Sequence, residues 1–106
     1  MSLVAIESNA YKISTFFPLH DNDGKPFSEE TWDWWHDQMA RFKGYTDMGK
    51  VLGIWERHTD ENRWIFWIVQ TYPQVEEIKG FLIEAKEKFS QLAIYYECQQ
   101  TCFKEL

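Results

Sequence analysis

The six consecutive residues 64–69, with the sequence Trp-Ile-Phe-Trp-Ile-Val, constrain the fold more than any other part of the chain. All six favour β-structure, and none would present a polar side chain on either side of a strand. Strands of this kind lie inside a sheet that is covered on both faces. We therefore expect a central strand here, with a cover on each face of its sheet.

Alternation of apolar and polar residues predicts four strands in all. They cover residues 11–18, 45–57, 63–72 and 92–99, after a loose lead-in over 1–10. The second and third strands would form a hairpin that is joined by the polar segment 58–62. In the first strand, one side carries Tyr11, Ile13, Thr15 and Phe17, and the other carries Lys12, Ser14 and Phe16.

Two amphipathic helices are predicted between the strands. The first begins at the N-cap Ser28 and ends at Gly44, and the second begins near Pro73. Their apolar stripes are Trp32, Trp35, Met39 and Phe42 in the first, and Val75, Ile78, Leu82, Ala85 and Phe89 in the second. Trp34 falls among polar neighbours, so we expect it to be exposed on a partner surface.

The order strand, helix, strand, strand, helix, strand predicts a single α+β domain over residues 1–106 with a ferredoxin-like sandwich fold. Its antiparallel four-stranded sheet would have the first and third strands in the centre and both helices on one face. No further element remains to cover the other face. We therefore expect a homodimer in which two sheets pack against each other.

The aromatic content also indicates a second apolar surface. Six tryptophans, five tyrosines and eight phenylalanines make up 18% of the 106 residues, and a chain of this length has little interior for so many rings. The surplus would line an oligomer interface or a pocket. The alternative is one crowded core with several half-exposed rings.

The net charge limits the classes of partner that we expect, and the two cysteines indicate the cellular compartment. A net charge of -6 opposes binding to nucleic acid or to an anionic membrane. No apolar run is long enough to span a bilayer and no secretory signal is visible. Cys98 and Cys102 would be about 13 Å apart on one strand, too far for a disulfide. We expect reduced thiols and a cytoplasmic protein.

The candidate proton-handling residues are His36, on the first helix, and His20, in a predicted loop, because imidazole titrates near neutral pH. His36 could equally be a hydrogen-bonded boundary residue. The segment Asp21-Asn22-Asp23-Gly24 resembles part of a calcium loop, but the first ligand position would be Leu19. An ordinary turn is favoured, and we expect no metal site and no cofactor.

A ligand-binding wall is predicted at the hairpin. Trp55 and Arg57, with Trp64 and Trp67 across the hairpin, would form an aromatic surface with a charged floor, and Tyr95 with Glu97 would complete its polar end. Such a pocket suits a small apolar or aromatic ligand. Ordinary cross-strand packing and an exposed edge strand explain the same residues without a ligand.

The motif F-S-E-E-x-W at 27–32 and the stretch K-F-S-Q-L-A-I-Y at 88–95 resemble a family of small bacterial domains of unknown function. The likeness covers residues 12–97. It implies the ferredoxin-like fold but no activity. This chain differs from the family pattern in its high number of tryptophans. More broadly, the architecture is similar to dimeric α+β barrel proteins. These include cofactor-free monooxygenases, isomerases, haem-binding enzymes and ligand-sensing domains.

Two functions follow as hypotheses. No phosphate loop, G-x-S-x-G, H-E-x-x-H or C-x-x-C motif is present, so the sequence favours a dimeric module whose aromatic-rich sheet face serves self-association and binding of a small apolar ligand. The alternative is a cofactor-free monooxygenase or isomerase, in which His36 or His20 handles protons. A weaker option is a subunit that contributes an edge strand to a larger complex.

Overall fold

The computed structural model describes residues 8–103, which contain four strands and two helices in the predicted order. The strands are β1 (Ser8–Pro18), β2 (Thr46–Trp55), β3 (His58–Val69) and β4 (Glu97–Phe103), and the helices are α1 (Glu29–Met39) and α2 (Tyr72–Lys88). All strand pairs are antiparallel, and the order across the sheet is β2-β3-β1-β4. The predicted ferredoxin-like α+β sandwich is therefore confirmed, with β1 and β3 in the centre.

The two faces of the sheet follow directly from the period of two in β1 and β3. Ile13 pairs with Trp67 and Thr15 with Ile65, and all four side chains are buried beneath the helices. We call this side the helix face. The intervening residues, which include Phe16 opposite Trp64, lie on the other side, which we call the open face because neither helix covers it.

The helices bury most of the stripes that their spacing predicts, whereas Trp32 and Phe42 are only partly buried. Ser28 caps α1 by accepting a hydrogen bond from the Thr31 amide, and Trp35 and Met39 are buried. In α2 all five predicted stripe residues are buried, together with Phe81. Within residues 8–103, no helix combines the length and the apolar character that a membrane span requires.

Two expectations about α1 were wrong. The helix ends at Met39, before Gly44, and a turn over 40–43 follows it. Trp34 is half-buried, because its ring stacks on Phe81 of α2 at 6.1 Å between centroids and so lies between the two helices. Helical spacing within α1 could not reveal this contact, since it depends on where α2 lies.

The hairpin turn is also shorter than predicted. Glu56 and Arg57 alone form it, with φ angles of 46° and 72°, and residues 58–62 belong to β3. Two successive positive φ angles are typical of the tight turn that matches the twist of a hairpin. The polar residues at 58–61 are compatible with a strand because this part of β3 extends past the last pair with β1, Pro18 opposite Asn62.

The far part of the β2–β3 hairpin forms an arm. Pairing between β1 and β3 ends at Pro18 opposite Asn62, so residues 51–60 have strand partners only within the hairpin. The radius of gyration is 15.9 Å, against about 13 Å for a compact chain of this length. The arm exposes Leu52, Ile54 and Trp55.

The last strand is displaced from its predicted position. It begins at Glu97, which pairs with Ser14, and it continues to Phe103, so residues 92–96 lie outside it. Thr15 donates a side-chain hydrogen bond to the Tyr95 carbonyl at 2.8 Å where the backbone ladder stops. At the other end of the pairing, β1 begins at Ser8; residues 1–7 of the predicted lead-in lie outside the described residues.

Candidate functional site at the open face

A strip of aromatic rings runs across the open face. The Phe16 ring centroid lies 5.9 Å from that of Trp64 and 4.8 Å from that of Tyr95, and Trp64 lies 6.4 Å from Phe66. We call these four residues the aromatic strip. Phe16, Trp64 and Phe66 are only half-buried in the protomer, and Ile68 beside them is 46% exposed. The third strand is thus apolar on both sides, as its sequence predicts.

Charge on the open face is sparse and of both signs. Lys12 extends over the Phe66 ring, with Nζ at 4.5 Å from its centroid, in a cation–π contact. Glu97, opposite Ser14, supplies a carboxylate on the same side of the neighbouring strand. Two ion pairs, Lys50 with Glu61 and Arg63 with Asp47, involve residues whose register places them on the helix side of the sheet.

A polar cleft of about 720 Å³ adjoins one end of the aromatic strip. Its lining includes Phe16, His20, Asp60, Asn62 and Tyr95. An imidazole, a phenol and a carboxylate therefore border one recess that also has an apolar wall. This combination suits proton transfer to or from a small ligand that is held against the ring.

The loop after β1 fixes the position of His20. His20 forms an isolated β-bridge with Pro26, and the Leu19 amide donates to the Glu61 carbonyl at 3.1 Å. The Asp21 carboxylate accepts hydrogen bonds from the amides of Asp23 and Lys25, and it therefore closes the turn itself. Within residues 8–103, no group of three or more His, Cys, Asp or Glu side chains converges as a metal site would require.

Two hydrogen bonds fix the position of Tyr95. The Thr15 hydroxyl donates a hydrogen bond to the Tyr95 carbonyl, and the Tyr95 phenol donates one to the Glu97 carboxylate. That hydrogen bond, with a smaller effect of desolvation, raises the pKa of Tyr95 above its ordinary value. Tyr95 is thus a neutral donor near neutral pH. It lies outside β4, where the sequence predicts it beside Glu97, and Glu97 is not among the residues that line the cleft.

The predicted ligand wall does not form one surface. Trp64 belongs to the open face, whereas Trp67, three residues later, is buried on the helix face with 1% exposure. Trp55 pairs with His58 at the tip of the arm and is 74% exposed, and Arg57 lies in the turn itself. Because successive strand side chains alternate between faces, residues 64 and 67 cannot share one.

The two candidate histidines are separated. His20 lines the cleft with Tyr95, while His36 is an exposed residue in the last turn of α1. Phe16, Phe66 and Lys12 lie on the open face but are not among the site residues predicted from sequence. For Phe16 and Lys12 the sequence did hold a signal. The alternation of the first strand already placed both on the side opposite Ile13, which was the available signal.

Cys98 and Cys102 lie on β4 as exposed thiols. Near them, burial is the main cause that raises the pKa of Tyr96 to about 12, and Cys98 and Glu76 add to it. Tyr72 has a raised pKa chiefly because of the Glu76 carboxylate. These groups lie at the junction of α2 and β4, away from the aromatic strip.

We found no match to this chain among protein-family models, curated proteins or solved structures. The resemblance to small bacterial domains therefore stays a prediction.

Proposed function

We propose that the protein is a homodimeric module in which the open faces of two copies pack against each other and bury the aromatic strip of each. The carrying observation is that Phe16, Trp64 and Phe66 lie in the two central strands, yet no helix covers them. The three rings are already half-buried in the protomer, so pairing would enclose only their remaining exposed apolar area, at about 25 cal/mol per Å².

The charge pattern favours a second copy as the partner. A face that carries Lys12 and Glu97 on adjacent strands can meet its own twofold image with opposite charges facing each other. This matters because the whole chain has a net charge of -6, which would otherwise oppose self-association. The aromatic-rich face thus combines apolar area with little like-charge repulsion.

The test is the replacement Trp64→Asp, measured by sedimentation velocity together with circular dichroism. We expect the wild type to sediment with twice the 12.8 kDa chain mass. The variant should sediment as a monomer with an unchanged circular dichroism spectrum, because a buried unpaired carboxylate opposes pairing. Ile83→Asp is the matched control, since Ile83 is 50% exposed on α2 and far from the open face.

A wild-type protein that remains monomeric at high micromolar concentration would contradict the proposal. Equal loss of the dimer in the Ile83→Asp control would show that general acidity, rather than the open face, governs assembly. If Trp64→Asp loses secondary structure, the same measurement is made on Phe66→Asp, which changes another residue of the aromatic strip.

The second candidate function is a cofactor-free monooxygenase or isomerase that uses the cleft. The favouring observation is that His20 and Tyr95 line one recess beside Phe16. In the step that both reactions share, the neutral imidazole of His20 would accept a proton from a substrate C–H next to a carbonyl. Tyr95 would turn its single O–H from the Glu97 carboxylate to donate a hydrogen bond to the resulting enolate oxygen.

This candidate is tested by proton NMR in D₂O with small apolar ketones, with His20→Gln and His36→Gln compared. If the cleft is active, the wild type and His36→Gln should exchange the α-protons, whereas His20→Gln should lose the exchange at least tenfold. Equal exchange in both variants, or none in the wild type, would exclude His20 as the base for this class of substrate.

A further inference from the structure

A second recess of about 550 Å³ lies at the opposite end of the sheet from the cleft. The connection after α1 forms one wall, the last residues of β3 form the floor, and the first turns of α2 form the other wall. We call this recess the helix-side groove. Its lining includes Arg41, Lys43, Tyr45, Trp67 and Glu77.

The floor of the helix-side groove contains a hydrogen-bond donor without an acceptor. The indole nitrogen of Trp67 is buried and has no hydrogen-bond partner within the described part of the chain. An indole N–H can only donate, and a buried donor without an acceptor is costly in free energy. The flanking rings are Phe42 and Tyr45, with centroids at 5.9 Å and 6.4 Å from Trp67.

Two cations border the same groove. Neither Arg41 nor Lys43 forms an ion pair with any carboxylate in the region 8–103. The Arg41 guanidinium lies 5.2 Å from the Phe42 ring centroid and 5.5 Å from that of Phe81, and these contacts hold it beside the aromatic walls. With Glu77 opposite, the groove lining carries a net positive charge in a chain whose net charge is -6.

We propose that the helix-side groove binds a small carboxylate with an apolar body. The carboxylate would accept hydrogen bonds from Trp67 Nε1 and from the Arg41 guanidinium, a charge-assisted pairing. The apolar body would lie against the Phe42 and Tyr45 rings. Because Nε1 is closed off from solvent, a neighbouring side chain must turn aside on binding.

This inference goes beyond the proposed dimer and does not depend on it. Trp67 points toward the helices, whereas the proposed interface is formed by the open face. Phe66 and Ile68 also line the groove, which therefore reaches the edge of the open face, but none of the four proposed ligand contacts belongs to that face. The monomeric Trp64→Asp variant separates the two proposals, since it should keep the ligand site while it loses the dimer.

The experiment follows the six indole N–H resonances of ¹⁵N-labelled protein during titration with phenylacetate and with its neutral analogue phenylacetamide. We expect phenylacetate at millimolar concentration to move the Trp67 resonance most, and phenylacetamide to move it little. Trp67→Phe assigns the resonance by its disappearance. Triple-resonance spectra of the wild type assign it if that variant does not fold.

Arg41→Gln should weaken phenylacetate binding about tenfold, as expected for loss of a charge-assisted hydrogen bond. Lys25→Gln is the matched control, because it removes the same charge from an exposed turn at the other end of the sheet and should leave binding unchanged. Equal shifts with acid and amide, no shift with phenylacetate, or equal weakening by both variants would each overturn the proposal.

Discussion

The helix face and the open face of the sheet are built from the same two central strands but differ in what covers them. Phe17 points to the helix face, where it is completely buried, with ring centroids 4.1 Å from Trp35 and 4.7 Å from Phe89. Its neighbour Phe16 points to the open face and contacts only Trp64 and Tyr95 among the aromatic rings described. Two adjacent residues of β1 thus point to opposite faces, of which one is covered by helices and the other is not.

The difference between the two faces shows that an apolar sequence predicts that a face is buried, but not whether the same chain or another molecule covers it. On the helix face, α1 and α2 of the same chain supply the cover. On the open face, the rings cover one another only partly, and Lys12 lies over Phe66. The comparison can therefore be tested with residues that are adjacent in sequence and opposite in orientation.

The largest expected effect distinguishes Phe17→Ala from Phe16→Ala. Phe17→Ala should lower the free energy of unfolding by about 3–5 kcal/mol, because it leaves a cavity in a packed core. Phe16→Ala should cost a protomer about 1 kcal/mol, since its ring is only partly buried. Urea denaturation at low protein concentration measures both values.

Protein concentration provides the control for this pair. If two copies pair through their open faces, the deficit of Phe16→Ala should grow as concentration rises, because association stabilises the folded state by mass action. The deficit of Phe17→Ala should not change with concentration in the same way. A concentration-independent deficit for Phe16→Ala would indicate that the open face is not an interface.

A smaller effect on the free energy of unfolding is expected from Thr15→Val, which removes a hydrogen bond between the two faces of the sheet. Thr15 is buried on the helix face, and its hydroxyl donates to the carbonyl of Tyr95, whose ring packs on the open face. Loss of this hydrogen bond should reduce the free energy of unfolding by about 1–2 kcal/mol. Thr15→Ser keeps the hydroxyl and should recover most of that loss. Equal destabilisation by the two substitutions would instead assign the effect to packing.

The smallest effect concerns alkaline pH and the neighbours Tyr95 and Tyr96. Tyr96 packs against the helix-face core, and burial raises its pKa from 10.0 to about 12, so the folded state retains a proton that the unfolded state releases. Stability from this group is complete below pH 10 and is lost as pH rises toward about 12. Since Tyr96 is partly solvated, the loss should be smaller than either effect above.

Urea midpoints below pH 10 and near pH 12 measure this dependence. Tyr96→Phe should flatten the alkaline decrease in stability. Tyr95→Phe should flatten it less, because the phenol of Tyr95 is exposed and its raised pKa depends mainly on one hydrogen bond to Glu97. An equal response of the two variants would remove the distinction between a core-facing and an open-face tyrosine.

The order of elements, the central positions of β1 and β3 and the buried stripe of α2 could all be predicted from sequence. Each depends on local periodicity: alternation puts Ile13 and Phe17 on one side of β1, and helical spacing puts Val75 and Phe89 on one side of α2. The N-cap at Ser28 is equally local. The hairpin turn was placed too late because polar residues after Arg57 continue as a strand on an arm that needs no buried face.

Sequence by itself determined the faces of each element, since the periods of helix and strand are properties of the backbone. Only the tertiary structure decided which faces meet. It placed Trp34 against Phe81, began β4 at Glu97 because the ladder with β1 ends at Ser14, and brought His20 and Tyr95 to one cleft while it separated Trp64 from Trp67. These outcomes depend on contacts between residues that are distant in sequence, which no local period can encode.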